Sequence, residues 1–401
     1  MKKNTIVTIE YAAAQALYWM KYAVIVSFAA VYLQALSCSN MELGIMFGLG
    51  YALGFGVSNL FGNWVDRFEK LDAGKLINYI LIGEAVLTAV LFAFSKRNAF
   101  TIVVYAVYLC LCMCVSGLMT KQWTDLTHNG FDVDFGLTRS AGSVGYMLMA
   151  ALVGVAVEKI GVKVLLPTAL ASIALEGINN CLLMRSMDNR ANGSGAFVKG
   201  QPFFTFARDN KLFCLLLLGL TFIFFSYRLP SDYMINLVGS VGGNAADMGV
   251  LHSFNAAVEL PAMLLYRRIG RKLSVLKMMI ISLVMFTVKA GMYTFAGSMT
   301  GLFVAAFFQC VSFALYTPAI VDYVKDTVSY ENSAKGQTMV YSVSVLSSVF
   351  SSFLGGMMLD SMPMKQVMLI STGISAVGTA LCIVSLILAQ KKRNAGALPR
   401  V

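Results

Sequence analysis

The amino-acid sequence predicts an all-α integral membrane protein, with twelve transmembrane helices in two pseudo-symmetric six-helix bundles. Three observations carry that prediction: a composition too apolar for water, twelve hydrophobic runs of spanning length, and short motifs that recur at an offset of about 200 residues. Hydrophobic residues make up 58% of the 401 and charged residues 13%, whereas soluble domains hold about 45–50% and about 25%. So little charge cannot clothe the water-facing surfaces of two or three soluble domains. Lipid is therefore the second solvent.

A spanning helix takes about 20 apolar residues. In the first half such runs are 11–36, 41–61, 74–94, 98–119, 135–157 and 163–185. In the second half they are 211–238, 245–267, 273–296, 300–323, 337–359 and 364–389. The first run follows a basic Lys2-Lys3, but Glu10 and Lys21 interrupt it and its hydrophobicity continues beyond them. It reads as an uncleaved helix, not a signal peptide. The sixth run is the most polar, with Glu176, Asn179 and Asn180, and the seventh carries Arg228. The longest polar stretch, 186–210, reads as a cytoplasmic linker between a bundle over 1–185 and a bundle over 211–401 with a short tail.

Charge sets the orientation. With the N-terminus inside, roughly 22 Lys and Arg fall on the inner side and about five outside: Lys96, Arg97, Lys159, Lys163 and Lys365. Both termini are then expected in the cytoplasm, with the chain in a plasma or inner membrane. The formal charge of +11 is accounted for by those loops. No basic cluster with interleaved aromatics points to nucleic acid. There is no HExxH, GxSxG or P-loop pattern, which argues against an enzyme. Of the eight cysteines, Cys110, Cys112, Cys114, Cys181, Cys214, Cys310 and Cys382 lie in apolar runs, and Cys38 is expected to be exposed outside. One outer cysteine gives no disulfide framework, and the 110–114 trio points in different directions around a helix. The sequence implies no cofactor and no metal. The expected partners are the bilayer, a small-molecule solute and, if transport is coupled, protons or sodium; the expected state is a monomer.

Three pairs of motifs share an offset near half the chain. Asp66-Arg67 ends the second run and Arg267-Arg268 the eighth. Gly136-Leu137-Thr138 opens the fifth and Gly336-Gln337-Thr338 the eleventh. Gly154 precedes Glu158 by four residues, as Gly356 precedes Asp360.

The loop after the second run reads Gly62-Asn63-Trp64-Val65-Asp66-Arg67-Phe68-Glu69-Lys70. It resembles the Gly-x-x-x-Asp-Arg-x-Gly-Arg motif of the major facilitator superfamily, with Glu69 in place of the second glycine. The later loop repeats the basic part as Arg267-Arg268-Ile269-Gly270-Arg271-Lys272. Gly62, Asp66 and Arg67 are thus candidate gating residues, since a carboxylate at a helix end can pair with a cation or a helix N-terminus and latch a closed state. Within the superfamily the fifth run is similar to the oligosaccharide–proton symporter branch, which includes lactose permease: Phe135-Gly136, then Arg139, then Gly142-Ser143-Val144-Gly145-Tyr146. That resemblance implies a major facilitator fold, with Arg139 binding solute hydroxyls and Tyr146 stacking on a sugar ring. The chain also departs from the branch. Lys121 stands where a sugar-binding carboxylate is expected, His252 where another functional carboxylate is, and Gln309 and Ser312 where the proton-site His and Glu are. A lactose-type proton relay is then absent.

An ionisable residue at membrane depth costs about 2.5–3.5 kcal/mol on insertion scales, so each one has a task or a partner. Lys21, among Tyr18, Trp19 and Tyr22, reads either as a cation facing the solute or as a packing partner for a carboxylate such as Glu84. Arg228 and Asp232, four apart, share a helix face as an ion pair or a coupling pair. Glu259 stands beside Pro261, which frees a helical carbonyl, and reads as a coupling carboxylate or as a structural partner of Lys289. Glu84 and Glu176 are expected to be structural. The solute-binding candidates are Lys21, Lys121, Arg139, Tyr146, His252, Asn255, Gln309 and Tyr316. The coupling candidates are Glu259, Asp232, Arg228 and Lys289. The expected function is secondary active transport of a small polar solute, such as a sugar or nucleoside, by alternating access. The alternatives are an exporter of amphipathic compounds and a non-transporting sensor of the same fold.

Overall fold

A computed structural model describes residues 2–67, 72–187, 206, 208, 210–328 and 330–394. Among them all regular structure is helical, and 12 segments are long and apolar enough to cross a membrane. The expected linker lies mostly outside the described residues, as do Glu69 and Lys70 and the side chains of Asp66 and Arg67.

In the first half the elements are α1 (Lys2–Tyr22), a π-helical turn (Ala23–Ser27), α2 (Ala29–Ala35), α3 (Asn40–Arg67), α4 (Ala73–Phe94), α5 (Ala99–His128), α6 (Phe135–Ile160) and α7 (Leu165–Met187). Then come α8 (Lys211–Asp232), α9 (Met234–Gly239), α10 (Ala245–Gly270), α11 (Val275–Phe295), α12 (Met299–Phe307), a 3₁₀ turn (Phe308–Cys310), α13 (Phe313–Thr327), α14 (Tyr330–Ser361) and α15 (Met364–Asn394). The helices begin where polar residues cap them. Ser39 and Glu42 form a reciprocal capping box at α3, at 3.2 and 2.6 Å. Asp72, Asn98, Asp134 and Ser274 accept from the first free backbone N–H groups of α4, α5, α6 and α11.

Two differences from the expected spans have a common cause. Helix α5 runs on to His128, and α14 starts at Tyr330 instead of near 337. Hydropathy marks the part of a helix that suits lipid, whereas the hydrogen-bond ladder continues into water. Three spans expected to be continuous are broken: the first at the π turn, the seventh at Tyr233 after Pro230, and the tenth at the 3₁₀ turn. Cys38 is buried, not exposed, and Cys181 is the exposed cysteine. Burial pushes the Cys38 thiol up from its ordinary value.

Packing divides the chain into two compact units, Met1–Gly195 with Gly243–Ala257 and Ala196–Gly242 with Val258–Val401. In the first unit α1 packs on α6 and α7, α3 on α5, and α4 on α5 and α7. The approach of α6 to α1 is close: a Cβ on Gly145 would lie 2.6 Å from the Ala16 carbonyl oxygen, and one on Gly142 would lie 2.5 Å from the Trp19 ring. The polar residues of α7 find partners there. Asn179 donates to the Glu10 carbonyl at 3.0 Å, and Asn180 donates to the Gly74 carbonyl at 2.8 Å while accepting from Gln122 at 3.0 Å. Of the α3 glycines, Gly50 and Gly54 lie against α5, whereas Gly56 has nothing within 4 Å of where a Cβ would sit. In the second unit α8 packs on α14 and α15, and α11 on α13 and α15. Its core centres on Phe224, Phe286 and Tyr316, whose rings meet edge to face.

Candidate functional site

The first unit gathers an aromatic and cationic cluster around the π turn. Trp19 and Tyr22 meet at 5.0 Å between ring centroids, and the Arg139 guanidinium of α6 lies over the Trp19 ring at 4.2 Å. This is a cation–π contact with the planar group that suits stacking. Ser27, the last residue of the π turn, is 2.8 Å from the Tyr146 hydroxyl, which in turn is 3.1 Å from Nδ1 of His252 on α10. The π turn also leaves backbone carbonyls outside the regular ladder, and Tyr105 donates to that of Ile25 at 2.8 Å. Single π turns recur at functional sites because they re-aim side chains without ending the helix. Arg139, Tyr146 and His252, named from the sequence, are therefore brought together. Trp19, named from the sequence only as an aromatic neighbour of Lys21, and Ser27, not named from it, join them.

A second cluster lies on α1, α4 and α7. The Lys21 ammonium is 2.8 Å from Oε2 of Glu84 and 2.9 Å from Oε2 of Glu176. All three side chains are buried: 0% exposed for Lys21 and Glu84, 3% for Glu176. Lys21 thus has the carboxylate partner that one reading expected, and a second beside it. Pairing lowers the cost of burying each charge.

In the second unit a polar network forms where the tenth span breaks. Gln309, in the 3₁₀ turn, accepts from the Lys289 ammonium and donates to Glu259 Oε1 at 2.6 Å and to the Tyr227 hydroxyl at 3.0 Å. Glu259 and Lys289 are thus bridged by the Gln309 amide. The Lys289 ammonium also lies 5.7 and 5.3 Å from the Tyr227 and Tyr293 ring centroids. Gln309 thus sits at the break itself, in the 3₁₀ turn between α12 and α13. The Arg228–Asp232 pair forms on α8 at 2.9 Å, with Ser352 of α14 donating to Asp232 at 2.6 Å.

The other candidates stand apart from these clusters. Lys121 is about a third exposed and pairs with Asp125 at 3.3 Å along α5. Asn255 donates to the Leu251 carbonyl. Tyr316 is buried in the aromatic core of the second unit, where its hydroxyl has no hydrogen-bond partner among the described residues. Gly62 lies within α3, with nothing within 4 Å of where its Cβ would be. No group of three or more His, Cys, Asp or Glu among the described residues has the geometry to hold a metal.

The family model described as "MFS_1 like family" matches residues 11–370. Solved structures with the same fold include the nucleoside transporter NupG, with a TM-score of 0.75 at 16% identity, covering 94% of this chain and 98% of that one. A bacterial homologue of the human lysosomal transporter Spinster, inward-facing and unoccupied, has a TM-score of 0.72 at 14% identity, covering 97% and 98%. A bacterial homologue of the iron transporter ferroportin, inward-facing, has 0.71 at 11% identity, covering 95% and 99%. At such identities the likeness speaks for the fold. No curated protein matches the chain.

Proposed function

The chain belongs to the MFS_1 like family, and from that premise we propose that it is a secondary active transporter moving a small, polar, uncharged solute across a cell membrane by alternating access. It is a multi-pass membrane protein with 12 candidate spans. The proposed bundles are 1–185 and 211–401, joined by a linker over 186–210, with both termini cytoplasmic. The carrying observation is the cluster of Trp19, Arg139, Tyr146 and His252. A guanidinium held flat on an indole, beside a hydroxyl–imidazole chain, offers stacking surface and directional donors together. That combination suits a sugar or nucleoside ring better than an amphipathic export substrate, for which an aromatic, mostly neutral surface serves. An uncharged solute is favoured over an anionic one by the other cations. Lys21 and Lys121, the further cations named from the sequence, are already neutralised by carboxylates.

Coupling is assigned by the same reading to Glu259. Its carboxylate stands at the Gln309–Lys289 network, beside Pro261 and the broken tenth span, where a change of helix geometry can alter its partners. The similarity to a nucleoside transporter supports the nucleoside option as an analogy of fold. The test is a solute screen in proteoliposomes, with and without an imposed proton or sodium gradient. Accumulation of a sugar or nucleoside is expected, and Glu259→Gln is expected to abolish gradient-driven accumulation while sparing exchange. Saturable binding without flux would make the chain a sensor, and unchanged accumulation in the variant would remove Glu259 from coupling.

A further inference from the structure

The charges on α1, α4 and α7 do not balance if all three groups are ionised. Lys21 brings one positive charge, and Glu84 and Glu176 bring two negative ones, in a place where every side chain is almost wholly buried. Among the described residues, no other basic group pairs with either carboxylate. The titratable groups facing the cluster are Tyr18 of α1 and Tyr108 and Cys112 of α5, all buried, and none of them supplies a cation. The nearest basic group along α6, Arg139, is turned onto Trp19. A net negative charge in low-dielectric surroundings is expensive, because neither lipid nor packed side chains can solvate it. One further positive charge is needed.

We propose that Lys21, Glu84 and Glu176 form a proton-binding site, holding one exchangeable proton on one or the other of the two carboxyl groups. A second observation also calls for a proton. Oε1 of Glu84 is buried with no hydrogen-bond partner, while its Oε2 accepts from the ammonium at 2.8 Å. A carboxylate oxygen there would be an unsolvated, unpaired charge, whereas the oxygen of a neutral carboxyl group is far less costly to bury. A sodium ion fits less well. The ammonium already lies within 3 Å of one oxygen of each carboxylate, which is where a bound cation would have to sit. Lys21 therefore acts as the fixed counter-charge. Whichever carboxyl group makes the stronger ion pair is the carboxylate, and the other is the acid. The site lies in the first unit, whereas the Glu259 network lies in the second, so it does not depend on the coupling assignment above.

Infrared spectroscopy of the purified full chain in lipid, without any solute, tests this. At neutral pH the wild-type protein is expected to show the carbonyl stretch of a carboxylic acid, and D2O should shift it. Glu84→Gln and Glu176→Gln should each lose the same whole band, because a single carboxyl group left beside Lys21 needs no proton. Lys21→Met, which keeps both carboxyl groups and removes the counter-charge, should roughly double it. If one of these variants does not fold, the remaining ones and the wild-type D2O shift still decide. A band kept in either glutamine variant, or absent from both difference spectra, overturns the proposal. A band that D2O does not shift shows a trapped proton and overturns exchange. A band that appears only when choline replaces sodium would assign the site to a metal cation instead.

Discussion

Replacing Lys21 with methionine is the sharpest test of how this chain keeps charge inside its first unit. The ammonium is completely buried and is the only described basic partner of two carboxyl groups, at 2.8 and 2.9 Å. Removing one member of a buried ion pair costs about 3–5 kcal/mol, here because the carboxylate that loses its counter-charge must take up a proton it does not carry in the wild type, whereas exchanging the whole set for neutral groups of similar shape is about neutral. Lys21→Met should therefore destabilise the protein by about 3–5 kcal/mol. The first unit falls in the size class of 150–250 residues, for which each kcal/mol moves Tm by roughly 2–4 °C. The expected drop is then roughly 6–20 °C. The triple variant K21M/E84Q/E176Q should recover most of that loss, and E84Q or E176Q alone should stay within about 1 kcal/mol of wild type, since each leaves one cation facing one anion. The double variant E84Q/E176Q strands the lysine and should be nearly as unstable as Lys21→Met. Thermal unfolding in nanodiscs, followed by intrinsic fluorescence, reads all five variants against the wild type. A triple variant no more stable than Lys21→Met would refute the charge argument and leave only shape to explain the site.

Further outcomes follow from the other clusters. Arg139→Lys keeps the charge but loses the planar stack on Trp19 at 4.2 Å. Solute affinity should fall by at least several-fold, the equivalent of about 1 kcal/mol, as measured by equilibrium binding of the transported solute; an unaltered Kd would remove the guanidinium from recognition. Gly145→Val places a Cβ 2.6 Å from the Ala16 carbonyl oxygen and should cost about 1–3 kcal/mol by overpacking. Gly56→Ala, with nothing within 4 Å, should unfold at the wild-type temperature, and equal losses in the two would contradict the packing assigned to α1 and α6. Ser39→Ala removes one half of the α3 capping box and should lower stability by about 1 kcal/mol, read from the same unfolding curves.

Much of the architecture is legible in the residues themselves. Hydropathy sums local transfer energies, so the twelve spans can be counted without knowing what any helix touches. The polar residues that begin them, such as Ser39, Asp72 and Asp134, act on their own first turn. The family could be recognised for the same reason, because the motif from Gly62 to Lys70 is a contiguous run. Other features were not written locally. Glu84 and Glu176 stand on two separate spans with nothing local to join them, and Lys21 fits either a solute contact or a carboxylate partner. Only the meeting of α1, α4 and α7 decided that all three share one buried site. The breaks at Ala23–Ser27 and Phe308–Cys310 were equally hidden, because neither place carries a proline or glycine and their energy depends on which backbone groups find partners on other helices. Sequence alone determined the solvent and the number of spans, which depend on nearest neighbours. Tertiary structure decided the partners of Lys21, Arg139 and Gln309, since the cost of a buried charge depends on what other helices place within 3 Å of it.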